Sequence, residues 1–157
     1  MNKVYIKFLT RYLGKDKARV AFLVRRALNL VIRSERINSK GNIILSLVLV
    51  DNDLIRKLNS RFLKRNRITD VIAFPLGDDG SKGEFGEIIV SIEKAYQEAH
   101  RRKIAPEGEI VLYCVHGLLH LLGYDDHSVK DSLEMWERQR EILGKIFGQA
   151  KASRWLD

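Results

Sequence analysis

His116-Gly117-Leu118-Leu119-His120-Leu121-Leu122-Gly123-Tyr124-Asp125-Asp126-His127 is the stretch that decides how this chain is read. Three of the four histidines in the chain fall within these twelve residues. The leucines around them predict a buried helix over 106–122, with Pro106 suited to its first turn and Gly123 to its stop. His116 and His120, four apart, then project from one face, one turn from each other. Two imidazole nitrogens so placed can meet one zinc ion at about 2.0–2.1 Å. The turn allowed by Gly123 brings Asp125, Asp126 or His127 towards the open side of that ion. Three protein ligands and a water are the usual form of a catalytic zinc site, whereas structural sites close with a fourth ligand. Imidazoles buried among leucines need polar partners, and few besides a metal are on offer here. In HExxH metalloproteases a Glu after the first His is the general base; here that position is Gly117, which disfavours such a peptidase. Small Gly117 is read as leaving room beside the metal for substrate. Cys114, about 200° round the helix from His116, is read as a small buried hydrophobe.

Working outward, residues 4–8 read as a short strand, and 16–32 as a helix with Val20, Leu23, Val24, Ala27, Leu28, Val31 and Ile32 on one stripe. A break at 38–42 precedes a branched, buried strand over 43–50. Asp51, Asn52 and Asp53 offer N-caps for a helix through about Arg61. Residues 70–74 form a third strand closed by Pro75, followed by a loop with Gly77, Asp78, Asp79, Gly80 and Gly83. A fourth strand spans 87–91. Helices over 92–102, 106–122 and 128–147 follow, and 148–157, which shows no period, is expected to be a flexible tail. The expected architecture is one α+β domain over 1–157. A small mixed sheet of about four strands packs with about five helices, the central one carrying the metal ligands.

Composition narrows the classes. The chain has 157 residues, 45% of them hydrophobic and 31% charged, and a formal net charge of +8. That excludes disordered, collagen-like and disulfide-framework chains. A single cysteine excludes an intrachain disulfide and suits a reducing compartment. No apolar run approaches the roughly 20 residues of a membrane helix, so a cytoplasmic protein with no membrane partner is expected. The charge permits a polyanionic partner without establishing one.

The block from Val115 to Asp125 resembles the signature of the YbeY family of bacterial endoribonucleases and rRNA maturation factors. Leu58-Asn59 through Thr69-Asp70-Val71-Ile72-Ala73-Phe74-Pro75 is similar to that family's upstream motif, and Gly86-Glu87-Ile88-Ile89-Val90-Ser91 to its glycine–acidic strand. The resemblance spans roughly residues 43–143. It implies a zinc-dependent, single-strand-specific endoribonuclease, binding one Zn2+. It also implies a role in small-subunit 16S rRNA 3′-end maturation and ribosome quality control, with rRNA, the small ribosomal subunit and its proteins as partners. Two departures stand out. The family leaves five residues between its second and third histidines, a spacing that ends here on Asp126, with His127 one place later. Either can bind zinc; His127 is the favoured third ligand and Asp126 the alternative. Many members also carry an Arg where this chain has Leu63, which removes an obvious phosphate contact. Arg65 and Arg61 are the expected substitutes, stabilising negative charge on the phosphate. Water and the RNA 2′-hydroxyl both remain open as nucleophile. Two other classes are carried alongside: a ribosome-assembly RNA-binding factor with a mainly structural zinc site, and a metallohydrolase acting on another substrate.

Overall fold

The computed structural model describes residues 2–35, 43–75 and 84–156. The expected break at 38–42 and the glycine- and aspartate-bearing loop at 77–83 lie outside them. Strand β1 (Lys3–Leu9) is followed by a 3-10 turn, Gly14–Asp16, and helix α1 (Lys17–Ser34). Next come β2 (Ile44–Val50), α2 (Asn52–Leu63), β3 (Val71–Pro75) and β4 (Glu84–Ser91). The remainder is helical: α3 (Ile92–Arg102), α4 (Pro106–Leu121), α5 (Val129–Phe147) and α6 (Gln149–Leu156).

The four strands lie in the order β1-β2-β4-β3. Parallel pairing joins β1 to β2 and β2 to β4, while β3 runs antiparallel to β4, so the sheet is mixed as expected. Strand alternation divides the side chains between two faces. Leu45, Leu47, Leu49, Ile88 and Val90 enter the main core with Val24, Leu28 and Val31 of α1 and with Ile110, Cys114 and Leu118 of α4. Val50, Ile72 and Ile89 point the other way, into a small cluster with Ile55 of α2. Helix α4 is apolar nearly all round, as a helix enclosed by other elements must be; it packs against α1, α3, α5, α6, β3 and β4. Cys114 is fully buried within it, and burial pushes its thiol pKa far up, so it is the inert small hydrophobe expected.

Two glycines set how closely α4 approaches the sheet. A Cβ on Gly117 would stand 2.7 Å from Ile88 Cγ2 and 2.9 Å from Val71 Cγ2, and one on Gly86 would stand 2.6 Å from Leu121 Cδ1. Gly117 therefore faces the sheet, and the expectation that it leaves room beside a metal is corrected. Its missing side chain is occupied by packing.

The expected flexible tail is also corrected, since 149–156 form α6. Trp155 is buried there, its Nε1 donating to the Ala105 carbonyl at 2.9 Å while its ring fills the space above Gly108. Arg102 fastens the same helix by donating to the carbonyls of Trp155 and Arg154 while pairing with buried Glu109 at 2.7 Å. Counted with α6, the described residues hold six α-helices, against the about five expected.

Candidate metal centre

The last turn of α4 ends in a Schellman motif. Gly123, at φ 96°, donates its N–H to the His120 carbonyl at 3.1 Å, and Tyr124 donates to the Leu119 carbonyl at 3.0 Å. Only a residue at ease in the left-handed region reverses the chain this way, so glycine is the fitting choice at 123. The reversed chain is then anchored at Tyr124, whose hydroxyl donates to Glu35 Oε1 at 2.8 Å. Arg138 of α5 bonds the same carboxylate oxygen at 2.7 Å and Glu141 at 2.8 Å. Three helices thus fix the start of the loop that carries Asp125, Asp126 and His127.

His116 and His120 face each other across one helical turn, with Nε2 atoms 2.9 Å apart and ring centroids at 4.5 Å. The Nδ1 of His116 is 2.7 Å from Oε1 of Gln139, which is buried on α5. With the amide oxygen accepting, Nδ1 carries the proton and Nε2 offers its lone pair towards His120. Burial lowers the His120 pKa below the usual imidazole value, and the neighbouring His116 adds to that shift. Both effects favour the neutral ring of His120, the form that binds metals.

Ligand atoms of His116, His120 and Asp126 lie within 4.8 Å of one another. The donor set fits a divalent ion of the zinc type: two nitrogens and a carboxylate oxygen, with one side open. Two nitrogens bound at about 2.0–2.1 Å in a tetrahedron stand about 3.3 Å apart, close to the observed 2.9 Å separation.

The structure places Asp126, rather than the favoured His127, beside the pair. His127 projects into solvent, its side chain 86% exposed, and its Nε2 pairs with Asp125 Oδ1 at 3.2 Å. It does form a second, more exposed group with Asp125 and Asp126. The cause is local: the Asp126 carbonyl accepts from Ser132 Oγ at 3.1 Å, and Ser128 caps α5 by accepting from Asp131 N–H. That committed start of α5 leaves His127 on the outside of the bend. An open depression of about 550 Å³ adjoins, lined by Asp126, His127, Val129, Leu133 and Trp136.

Arg61 and Arg65 are not gathered into this group. Arg61 ends α2 with its guanidinium 5.5 Å from the Phe62 ring, and Arg65 donates its backbone N–H to the Asn59 carbonyl. Both side chains are exposed, as is Leu63. Sequence reasoning missed Gln139. Its signal was a lone amide in the apolar stripe Met135, Gln139, Ile142 and Leu143, all four buried.

The profile of the family described as Endoribonuclease YbeY matches residues 6–147. The chain belongs to the YbeY family. A relative named Endoribonuclease YbeY from Acholeplasma laidlawii is 42% identical over 101 residues, covering 64% of this chain and 73% of its own. One of the same name from Oceanobacillus iheyensis is 34% identical over 134 residues, covering 79% and 86%. The solution structure of TM1509 from Thermotoga maritima superposes with a TM-score of 0.64 at 27% identity, covering 97% of this chain and 95% of that one. The His-bearing helix and its glycine stop fall within the matched span, so the YbeY family assignment includes the candidate centre itself. No helix among the described residues is long and apolar enough to cross a membrane.

Proposed function

We propose that this chain is a metal-dependent endoribonuclease that cuts single-stranded RNA, with one zinc ion held by His116, His120 and Asp126. The observation that carries the reading is the His116–His120–Asp126 group, backed by Gln139 in a chain of the YbeY family. When bound, the ion supplies Lewis-acid charge at the scissile phosphate and activates water. The chain's own residues do the rest. Gln139 holds His116 in one tautomer and one orientation. His120, kept neutral by its surroundings, presents a free nitrogen at physiological pH. The depression beside Asp126 offers Leu133 and Trp136 as a wall for a nucleotide. Arg61 and Arg65 remain the proposed phosphate contacts in place of the family's Arg at Leu63; both are exposed and neither pairs with a carboxylate among the described residues. The natural substrate we propose is rRNA, at the 3′ end of the small-subunit RNA, on the small ribosomal subunit and in the cytoplasm. One catalytic domain over 1–157 carries it out.

Leu63 favours one second reading, a ribosome-assembly factor that binds RNA through this surface and uses the metal structurally. Cleavage of a labelled single-stranded RNA by zinc-loaded protein, with and without chelator and with His116→Ala, separates the two. Endonucleolytic products that vanish in both controls are expected. Intact RNA under all conditions, with binding retained, sinks the nuclease reading and leaves the assembly factor.

A further inference from the structure

The helical layers are unequal. Helices α1 and α4 cover the face of the sheet bearing Leu47, Leu49 and Ile88, while on the opposite face α2 is, among the described residues, the one helix packed, over β3 and β4. The pairing register sets what that second face displays. Tyr5 stands beside Ser46, Glu87 and Phe74 in one row across the four strands, and Lys7 stands beside Val48, Ile89 and Ile72 in the next. Nothing among the described residues covers the β1 side of these rows, where Tyr5 is 55% and Leu9 45% exposed. At the other side Phe62 of α2, 54% exposed, meets Phe74 edge-on at 5.5 Å. Between them runs an apolar groove of about 490 Å³, floored by Val48 and Ile89 and walled by Leu9, Leu58, Phe62 and Phe74.

The elements that form this groove also carry exposed cations. Lys3 and Lys7 on β1, and Arg61, Lys64, Arg65 and Arg67 at the end of α2, are all exposed. None pairs with a carboxylate among the described residues. Glu87, half-buried, is the acid that lines the groove. A protein partner would have to bring a carboxylate rim to match these cations. A single-stranded nucleic acid brings one phosphate per nucleotide and bases that stack on exposed rings, at a spacing a flexible strand adapts to. Glu87 then faces base edges, as an acceptor for exocyclic amines, rather than phosphates.

From these features we infer that the open sheet face, from Tyr5 and Lys7 to Phe62, is a binding platform for single-stranded RNA, separate from the metal centre. This rests on the endoribonuclease reading for the choice of RNA and extends it to how the strand is held. Leu121 of α4, the residue after His120, packs against Gly86 on the core face of the sheet, beside the Phe74 carbonyl.

Binding of a fluorescein-labelled single-stranded RNA of about twelve nucleotides tests the platform, read by anisotropy on the full chain in a His116→Ala background that stops turnover. Tyr5→Leu with Lys7→Gln alters only the β1 side, and Phe62→Leu removes the ring at the α2 side. All three are exposed positions where apolar bulk or chain geometry is kept, and circular dichroism checks the fold. Each set is expected to weaken binding about tenfold or more, in line with the loss of one stacked base and a phosphate contact. Wild-type affinity in both sets overturns the platform, as does a parent chain that binds no RNA. The enzyme reading is scored separately, by cleavage with His116 intact. Cleavage with undiminished binding in the platform variants removes the platform alone. Weakened binding in those variants without any cleavage by the native chain supports the platform and removes the nuclease.

Discussion

At the scale of single residues, the site depends on which atoms face the gap between His116 and His120. Asp126 lies there and His127 points to solvent, so Asp126→Ala lowers the zinc content of purified protein more than His127→Ala does. Metal analysis of the two variants checks it, and the reverse order places His127 in the site. Gln139 acts one step further out. Gln139→Leu keeps the bulk but removes the acceptor for His116 Nδ1, and metal affinity falls about 10–100-fold, the usual cost of losing such a partner. Competition against a chromogenic chelator measures it; unchanged affinity makes Gln139 a packing residue only. The His pair was legible because both residues lie on one helix, where spacing alone fixes their relation. Which of Asp126 and His127 stands beside the pair was not, because after Gly123 the placement of adjacent side chains follows Ser128 and Ser132, which commit the start of α5. Gln139 is 23 residues from His116, and only the packing of α5 on α4 brings them together.

Elements carry a different set of consequences. The helix ends were readable at Pro106 and Gly123, since each obeys a local backbone rule. Gly117 was misread because its role belongs to the contact between α4 and the sheet. Gly117→Ala pushes a methyl group into Val71 and Ile88, both β-branched and fixed on strands, and costs about 1–3 kcal/mol. Chemical denaturation reads that loss; a neutral result means the strands give way. Helix α6 escaped sequence reading for a similar reason: eight residues are about two turns, too few for a period to stand out, and Trp155 makes sense only against Gly108. Arg102 ties this helix to α4 through Glu109, whose carboxyl pKa burial raises above its ordinary value. Arg102→Ala strands that carboxylate and destabilises by about 3–5 kcal/mol at neutral pH. A raised folded pKa means the folded chain binds more protons than the unfolded one above the ordinary carboxylate range. Stability from this group is therefore present in acid and lost as pH rises through the folded value. The deficit of Arg102→Ala accordingly narrows as pH falls and Glu109 takes up its proton. Melting temperatures across pH test the sign, and a deficit that widens in acid contradicts it.

For the whole molecule, the net charge of +8 gains a direction once the pairs are placed. Among the described residues, Lys3 and Lys7 on the open sheet face and Arg61, Lys64, Arg65 and Arg67 at the α2 end are exposed and pair with no carboxylate. RNA affinity then falls with salt, with a log–log slope of about −0.7 for each phosphate contacted. An affinity indifferent to salt removes the basic face from substrate binding. The fold class was readable from element order, and the mixed four-stranded sheet follows it. The separation of a metal face from an open face was not, because it depends on which side of the sheet each crossover takes. The most direct measurement is a zinc titration of metal-free protein, following cleavage of single-stranded RNA. Cleavage that rises to a plateau at one equivalent, and is absent from the His116→Ala, His120→Ala double variant, is predicted. Equal cleavage by the metal-free chain or by that variant contradicts it.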